Sequence, residues 1–301
     1  MGRHLVRNIM KGGFKVVVWN RTPEKCKEFV EAGAHQAKTP KEVAERSDVV
    51  FSMLAKPRDT LAVLCGEGEG AYKGTSVLDG VSPGKVVVDM STNSPFVTRK
   101  IGSIMQARGA GFLDSPVLGN PTVAERAALS VMVSGEDRYI DVIEPVLKTL
   151  GKRIFRVGKL GSAATMKLAL NFHLMLLNLI FAESFSFATK LGVEPKRSLE
   201  LWNETINKTY VSENYGPKIM EGTFEEARFT LELAHKDLVL AQDIANEIKY
   251  PFLIGGAARE IYAACLAKGW DQLDVAAVVK LYEDINGIKV AGRGNEGSSN
   301  P

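Results

Sequence analysis

The sequence predicts two domains, a largely parallel α/β domain followed by an all-α domain that opens on one long helix. Three observations predict this. The first half alternates short β-branched runs with helical patterns, as βαβ units do. From residue 161 onward no stretch reads as a strand of any length, and a switch from α/β alternation to helix alone marks a change of domain. Between the two, residues 161–191 place Met166, Leu168, Leu170, Leu174, Leu177, Ile180 and Phe181 at helical spacing with almost no polar face, so this helix is expected in the interior. The expected domains are 1–160 and 161–291. The remaining 292–301, made of Gly, Ser and Asn without an apolar anchor, is expected to be disordered.

In order along the chain, residues 15–20 (KVVVWN) read as a strand and 23–32 as a helix with Thr22 as cap and Pro23 at its first position. Residues 48–54 (DVVFSML) and 85–90 (KVVVDM) are strands that end in polar or small residues where a ligand could sit. A loop from Ser91 to Ser94 enters a helix at Pro95. Residues 111–117 and 129–134 give two more strands, 137–150 a helix, and 154–157 a last short strand. Further helices are expected at 195–206, 235–248, 253–268 and 275–286.

A net charge of +3 over 301 residues demands neither nucleic acid nor a membrane surface. Cys26, Cys65 and Cys265 are odd in number and far apart, which argues against a disulfide framework and a zinc site and for a reduced, cytoplasmic setting. No charged-then-apolar leader opens the sequence. The apolar tract 168–182 is shorter than the roughly 20 residues a bilayer needs and carries Asn171, His173 and Asn178, so it reads as a core helix.

Two features carry chemistry. Lys167 and Asn171 are four residues apart and share one helix face. A lysine there loses hydration, which lowers its pKa and suits it to proton exchange; a snorkelling lysine with a solvated tip fits the same pattern. The second feature is the opening. A dinucleotide-binding domain of the Rossmann type begins with a strand and a GxGxxG turn at a helix N-terminus. This sequence starts inside that pattern, with Gly2 as the last glycine and residues 3–12 as the following helix. The first strand and first two glycines are therefore expected either to be lost from the sequence or lacking in the protein, and Gly2 alone also fits an ordinary N-terminal helix.

Five pieces line up in order: Gly2 with Asn20-Arg21-Thr22; Asp89-Met90-Ser91-Thr92 with Ser94-Pro95; Asp114-Ser115-Pro116-Val117 with Gly119; the stretch from Gly161 to Lys167 and Asn171; and Lys236-Asp237-Leu238 with Leu240-Ala241. Together they resemble the β-hydroxyacid dehydrogenase family, which includes 3-hydroxyisobutyrate dehydrogenase, tartronate semialdehyde reductase and glyoxylate/succinic semialdehyde reductases. The resemblance implies a Rossmann-type NAD(P) domain, a long interdomain helix, and a helical domain that helps build a homo-dimer or homo-tetramer.

It also implies roles. Lys167 would exchange the proton, and Asn171 would hold the lysine or the substrate hydroxyl; a polar contact inside the core is the plainer role for Asn171. Asn20-Arg21-Thr22 has no carboxylate where one would bond a ribose 2′-hydroxyl, so NADP is expected over NAD, with Arg21 on the 2′-phosphate and Asn20 and Thr22 in support. A solvated surface charge is the alternative for Arg21. Met53, Leu54 and Ala55 would lie beside the cofactor, and Thr92 near the nicotinamide, although a helix-entry turn explains Thr92 too. Phe229 and Lys236 would complete the cofactor wall, while Ser91, Leu118, Gly119, Asn120 and Asp237 join Lys167 and Asn171 on the substrate. A Lys-Asp pair on a helix is otherwise ordinary surface charge.

At Leu118 the sequence departs from the family, which has a serine there. Backbone N–H groups and the Asn120 amide still suit an anion, but Leu118 points to a bulkier or less polar substrate. The expected activity is hydride transfer between NADP and a small 3-hydroxyacid or related alcohol and its aldehyde or ketone. The alternatives are a non-catalytic ligand-binding or scaffold dimer, and an imine reductase, whose relatives commonly carry another residue at the position of Lys167. No metal is expected.

Overall fold

The computed structural model describes residues 1–68 and 70–290, so the expected disordered tail lies outside the described residues. The chain divides into two compact units, Met1–Leu168 and Ala169–Pro301.

The first unit runs α1 (Gly2–Lys11), β1 (Val17–Val18), a 3₁₀ turn (Pro23–Cys26) leading into α2 (Lys27–Glu31), β2 (His35–Gln36), α3 (Pro40–Arg46), β3 (Val49–Ser52), α4 (Pro57–Cys65) and α5 (Val77–Gly80). It continues with β4 (Val86–Asp89), α6 (Pro95–Gln106), β5 (Gly111–Asp114), β6 (Val117–Leu118), α7 (Pro121–Glu125), β7 (Ser130–Ser134), α8 (Asp137–Leu147) and β8 (Arg153–Gly158). A six-stranded sheet has the order β3-β4-β5-β7-β6, with β8 on β7. Strands β3, β4 and β5 are parallel, as expected, and so are β7 and β8, but β7 runs antiparallel to β5 and β6.

Every residue of β4 is buried, with Val86 and Val88 on one face and Val87 on the other. A strand covered on both faces needs a continuous apolar run, which is why β4 is plain in the sequence. One layer of the core packs Val86 and Val88 with Leu5, Ile140 and Leu147; the other packs Val87 with Leu64, Ile101 and Met105. The expected strand over 111–117 is broken at Ser115-Pro116, because proline has no N–H for a ladder.

Strands β1 and β2 form a separate parallel pair. The expected strand over 15–20 shrinks to Val17 and Val18, because β2 is its only ladder partner among the described residues. Its own small core is Val18, Cys26, Phe29 and Ala34, with Val6 and Met10 of α1 against it.

The long helix α9 (Ser162–Lys190) starts in the first unit and passes into the second. There follow α10 (Pro195–Glu204), α11 (Tyr210–Asn214), α12 (Gly216–Glu221), α13 (Leu231–Glu247), α14 (Leu253–Ala267) and a 3₁₀ turn (Val275–Val278) that runs into α15 (Val279–Asn286). Met175, Leu179, Ala182 and Phe185 of α9 pack with Leu238, Tyr262 and Val275 in the core of the second unit.

The expectation of all-round burial for α9 needs correction: Met166, Ile180 and Phe187 are 40%, 60% and 66% exposed. The helix is also 29 residues long, enough to cross a bilayer by length and composition, so the short tract is not what argues against a span. Its interior polar bonds are. Asn178 is fully buried and donates from Nδ2 to Val275 O (2.9 Å) and to the Tyr262 hydroxyl (3.2 Å), so this face of the helix packs on the protein of the second unit. Asn178→Ala should therefore cost about 1–3 kcal/mol in urea unfolding, the usual penalty for buried groups left without a partner. An unchanged midpoint would remove this asparagine from the account of the core.

Candidate active site

The site begins where β4 and β5 end. These strands are in register so that Asp89 and Asp114 stand side by side, both buried. A buried carboxylate has to be met by donors, and each here draws loop backbone to itself.

Asp89 accepts from Ser52 Oγ (2.8 Å), the Ser91 N–H (3.1 Å) and Asn93 Nδ2 (3.2 Å). Asn93 Oδ1 in turn accepts from the Ser94 N–H (2.9 Å), and Ser91 Oγ from the Leu54 N–H (2.8 Å). The loop after β4 is thus tied to the loop after β3. Ser91, Asn93 and Ser94 are buried while Thr92 stays half-buried, so Thr92 is the side chain this loop presents. The Ser91 hydroxyl, expected on the substrate, accepts from the Leu54 N–H and keeps its own O–H as a donor. Ser94 caps α6 by accepting from the Phe96 N–H (3.2 Å), with Pro95 at the first position, as the sequence indicates.

Beside this loop Gly2 opens α1, and a Cβ added to it would lie 3.8 Å from Met53 Cβ and Cγ, an ordinary contact. The N-terminus of α1 therefore lies next to the end of β3, and Met53 and Leu54 are half-buried there, with Ala55 exposed. After β1, Asn20 Oδ1 accepts from the Thr22 N–H (2.9 Å), and this local turn leaves Arg21 exposed. Thr22 occupies the expected cap position without a side-chain cap bond. A dinucleotide fits these residues: a helix N-terminus suits its pyrophosphate, and an exposed arginine without a neighbouring carboxylate suits a 2′-phosphate.

In the substrate loop, Leu118 is half-buried in β6 and paired with Ser130. Gly119 has φ +135°, and a Cβ there would stand 2.7 Å from Leu129 Cδ2, so both conformation and space require glycine. Asn120 caps α7, its Oδ1 accepting from the Val123 N–H (3.0 Å), which leaves its amide NH₂ as the group able to meet an anion.

On α9, Lys167 is half-buried, and helical geometry sets it one turn before Asn171 on the same side. In the second unit, Asn171 is buried and donates from Nδ2 to Asp237 Oδ2 (2.6 Å), so its Oδ1 is left as an acceptor. Lys236 Nζ lies 3.0 Å from the other Asp237 oxygen. Asp237, expected on the substrate, is buried and held between these two side chains, so the Lys-Asp pair is not surface charge. Phe229 is half-buried on the core of this unit, its carbonyl accepting from the Val275 N–H (2.8 Å). The loop before it is fixed by Lys218, which donates to Glu226 O (2.7 Å) and pairs with Asp274 at 3.1 Å. Among the described residues no cluster of His, Cys, Asp or Glu could hold a metal ion.

Residues 1–158 match the family model for the NAD binding domain of 6-phosphogluconate dehydrogenase, and residues 161–282 that for the NAD-binding domain of NADP-dependent 3-hydroxyisobutyrate dehydrogenase. The chain is 31% identical to the chloroplastic glyoxylate/succinic semialdehyde reductase 2 of Arabidopsis thaliana, over 93% of this chain and 76% of that one. The chain belongs to the β-hydroxyacid dehydrogenase family. It is accordingly an NAD(P)-dependent oxidoreductase of the hydroxyacid dehydrogenase type.

Other β-hydroxyacid dehydrogenase relatives include the mitochondrial 3-hydroxyisobutyrate dehydrogenase of Bos taurus, 29% identical over 94% of this chain and 84% of that one. The cytokine-like nuclear factor N-PAC of Xenopus tropicalis is 31% identical over 94% of this chain, which spans 51% of that protein's length. The crystal structure of 3-hydroxyisobutyrate dehydrogenase from Salmonella typhimurium shares the fold, with a TM-score of 0.81, 21% identity, and coverage of 93% of this chain and 95% of that one.

Asp89, Asp114 and Ser134 were not among the expected site residues. Asp89→Ala would leave three donors buried without their acceptor and should cost about 3 kcal/mol in urea denaturation, the upper end for such groups. A loss below about 1 kcal/mol would show that the loop holds without it.

Proposed function

We propose that this β-hydroxyacid dehydrogenase uses NADP to interconvert a small 3-hydroxyacid, or a related alcohol, and its aldehyde or ketone, with Lys167 as the proton donor and acceptor. The observation that carries the reading is the pairing on α9 of Lys167 with Asn171, whose amide NH₂ is committed to Asp237. An asparagine so held offers an oxygen, which accepts from a lysine ammonium or from a substrate hydroxyl.

NADPH supplies the hydride when bound. Arg21, supported by the Asn20–Thr22 turn, would hold its 2′-phosphate, while the N-terminus of α1 at Gly2 and the ends of β3 and β4 at Met53–Ala55 and Thr92 would complete the part of its site in the first unit. As the carbonyl carbon is reduced, negative charge grows on the carbonyl oxygen. The Lys167 ammonium stabilises that charge and gives its proton to the oxygen; in the oxidative direction the neutral amine takes the hydroxyl proton. The substrate carboxylate would be met by the backbone at Gly119 and the Asn120 amide, with Leu118 favouring a less polar chain than glycerate has. The three buried free thiols suit a reducing compartment.

Lys167→Ala should abolish turnover of any aldehyde accepted with NADPH, such as succinic semialdehyde or glyoxylate, while NADPH binding by fluorescence titration stays within about twofold, since only proton transfer and charge stabilisation are removed. Full turnover in this variant would overturn the reading. NADPH binding with no turnover of any aldehyde or hydroxyacid by the wild type would favour a non-catalytic ligand-binding protein.

Arg21→Ala should raise the KM for NADPH by about ten- to a hundredfold, the worth of a charge-assisted hydrogen bond, and leave that for NADH nearly unchanged. Equal effects on both cofactors would remove Arg21 from the 2′-phosphate.

A further inference from the structure

The first turn of α9 is held by two side chains from the sheet. Asp114, the last residue of β5, accepts from the Gly161 N–H through Oδ1 (2.9 Å) and from the Ala164 N–H through Oδ2 (2.7 Å). Ser134, the last residue of β7 and the register partner of Asp114, donates its hydroxyl to Asp114 Oδ1 and accepts from the Ala163 N–H (3.1 Å). The N–H groups of a helix's first turn have no partner within the helix, and here three around the start of α9 end on one carboxylate–hydroxyl pair. All of these groups are buried.

The approach is built for this contact. Gly161 has φ +91°, and a Cβ on it would come within 2.9 Å of Arg99 Nη1 and 3.2 Å of Pro95 O, so only glycine lets the chain turn its N–H toward Asp114. The Gly161 carbonyl then accepts from both the N–H (3.1 Å) and the hydroxyl (2.8 Å) of Thr165, which closes the turn.

Lys167 stands three residues after Ala164 and four after Ala163, one helical turn beyond the held amides. We infer that Asp114, together with Ser134, is the positioning device of Lys167: by fixing the first turn of α9 to the ends of β5 and β7, it sets how far along the helix axis and at what rotation the lysine is presented. The helix advances about 1.5 Å and turns about 100° per residue, so a slip of one hydrogen bond at this end would turn the ammonium away from the substrate oxygen it is to protonate. A bidentate carboxylate prevents the slip because it holds the start of the turn at two points, which a single hydroxyl cap does not. Its charge also complements the positive end of the helix. Burial pushes the Asp114 carboxyl up, and the hydroxyl and two amides that meet it pull it back only in part.

This inference rests on the reading of Lys167 as the proton-transfer residue, and the experiment separates the two. Asp114→Asn keeps the shape but sets an amide NH₂ against a backbone N–H; Ser134→Ala removes the smaller half of the clamp. Each is compared with the wild-type full chain for turnover of succinic semialdehyde with NADPH across pH. Lys167 acylation by acetic anhydride, read by peptide mass spectrometry with Lys148 as internal reference, is measured alongside. Asp114→Asn is expected to lower kcat on the order of ten- to a hundredfold, as for a catalytic group displaced by about 1 Å, with the Kd for NADPH little changed. It should also shift the pH profile of kcat and change the Lys167 labelling rate at least about threefold at constant Lys148 labelling, with Ser134→Ala changing both in the same direction by less.

A folded Asp114→Asn with wild-type kcat, pH profile and Lys167 labelling overturns the inference. If Asp114→Asn does not fold, unchanged Lys167 labelling and pH profile in Ser134→Ala overturn it equally. Turnover that survives Lys167→Ala would refute the proton-transfer reading and with it the catalytic purpose of the clamp, whereas labelling that fails to move in the Asp114 and Ser134 variants refutes the clamp alone.

Discussion

Two carboxylates side by side at the ends of neighbouring strands are the constraint on which the first unit depends. Asp89 and Asp114 are both buried and in register, and a buried charge persists only where donors surround it. Neither strand supplies those donors. They come from Ser52 at the end of β3 and from Ser91 and Asn93 in the loop after β4 for Asp89, and from Ser134 at the end of β7 with Gly161 and Ala164 at the start of α9 for Asp114. Loops that in isolation would have many conformations are thereby fixed at the carboxyl edge of the sheet, where open α/β sheets bind their ligands.

The second unit meets the same requirement in a different way. Asp237 is buried in α13 between Asn171 and Lys236, and Asp274 between Lys218 and the Arg228 N–H. The first pair orients an amide, and the second fastens the loop that leads through Phe229 to Thr230, which caps α13. Polar groups in the interior here order irregular chain, while the apolar layers around Met175, Phe185 and Tyr262 supply the bulk of the burial.

What the sequence makes legible follows the range of the interaction concerned. The strands around Val50, Val87 and Val131 are visible because covered strands need unbroken apolar runs, and α9 because its period is local. Lys167 and Asn171 are likewise found by a spacing of four. The short helices α3, α5, α7, α11 and α12 escape because one or two turns leave too little periodicity, although Thr39 and Ser76 mark two of their starts as caps. Asp114 is invisible as a support for the lysine helix because its partners lie 47 and 50 residues away, and nothing in the neighbourhood of either residue records the contact. Ser91 and Asp237 show the converse: motif position marks them, but only three-dimensional placement shows their bonds to the Leu54 N–H and the Asn171 amide.

The pair β1–β2 has a further meaning for how such a protein can change. It carries the Asn20–Thr22 turn, shares no ladder with the six-stranded sheet, and keeps a small apolar cluster of its own around Val18, Cys26 and Phe29. On the proposed reading, the turn that would meet the far end of a cofactor sits on a ladder of its own, while the clamp that would aim the lysine hangs from β5 and β7, and α1 packs against both regions. Substitutions around Arg21 thus alter no strand pairing of β5 or β7, so on that reading nucleotide preference can change along a lineage while the support of the lysine stays as it is.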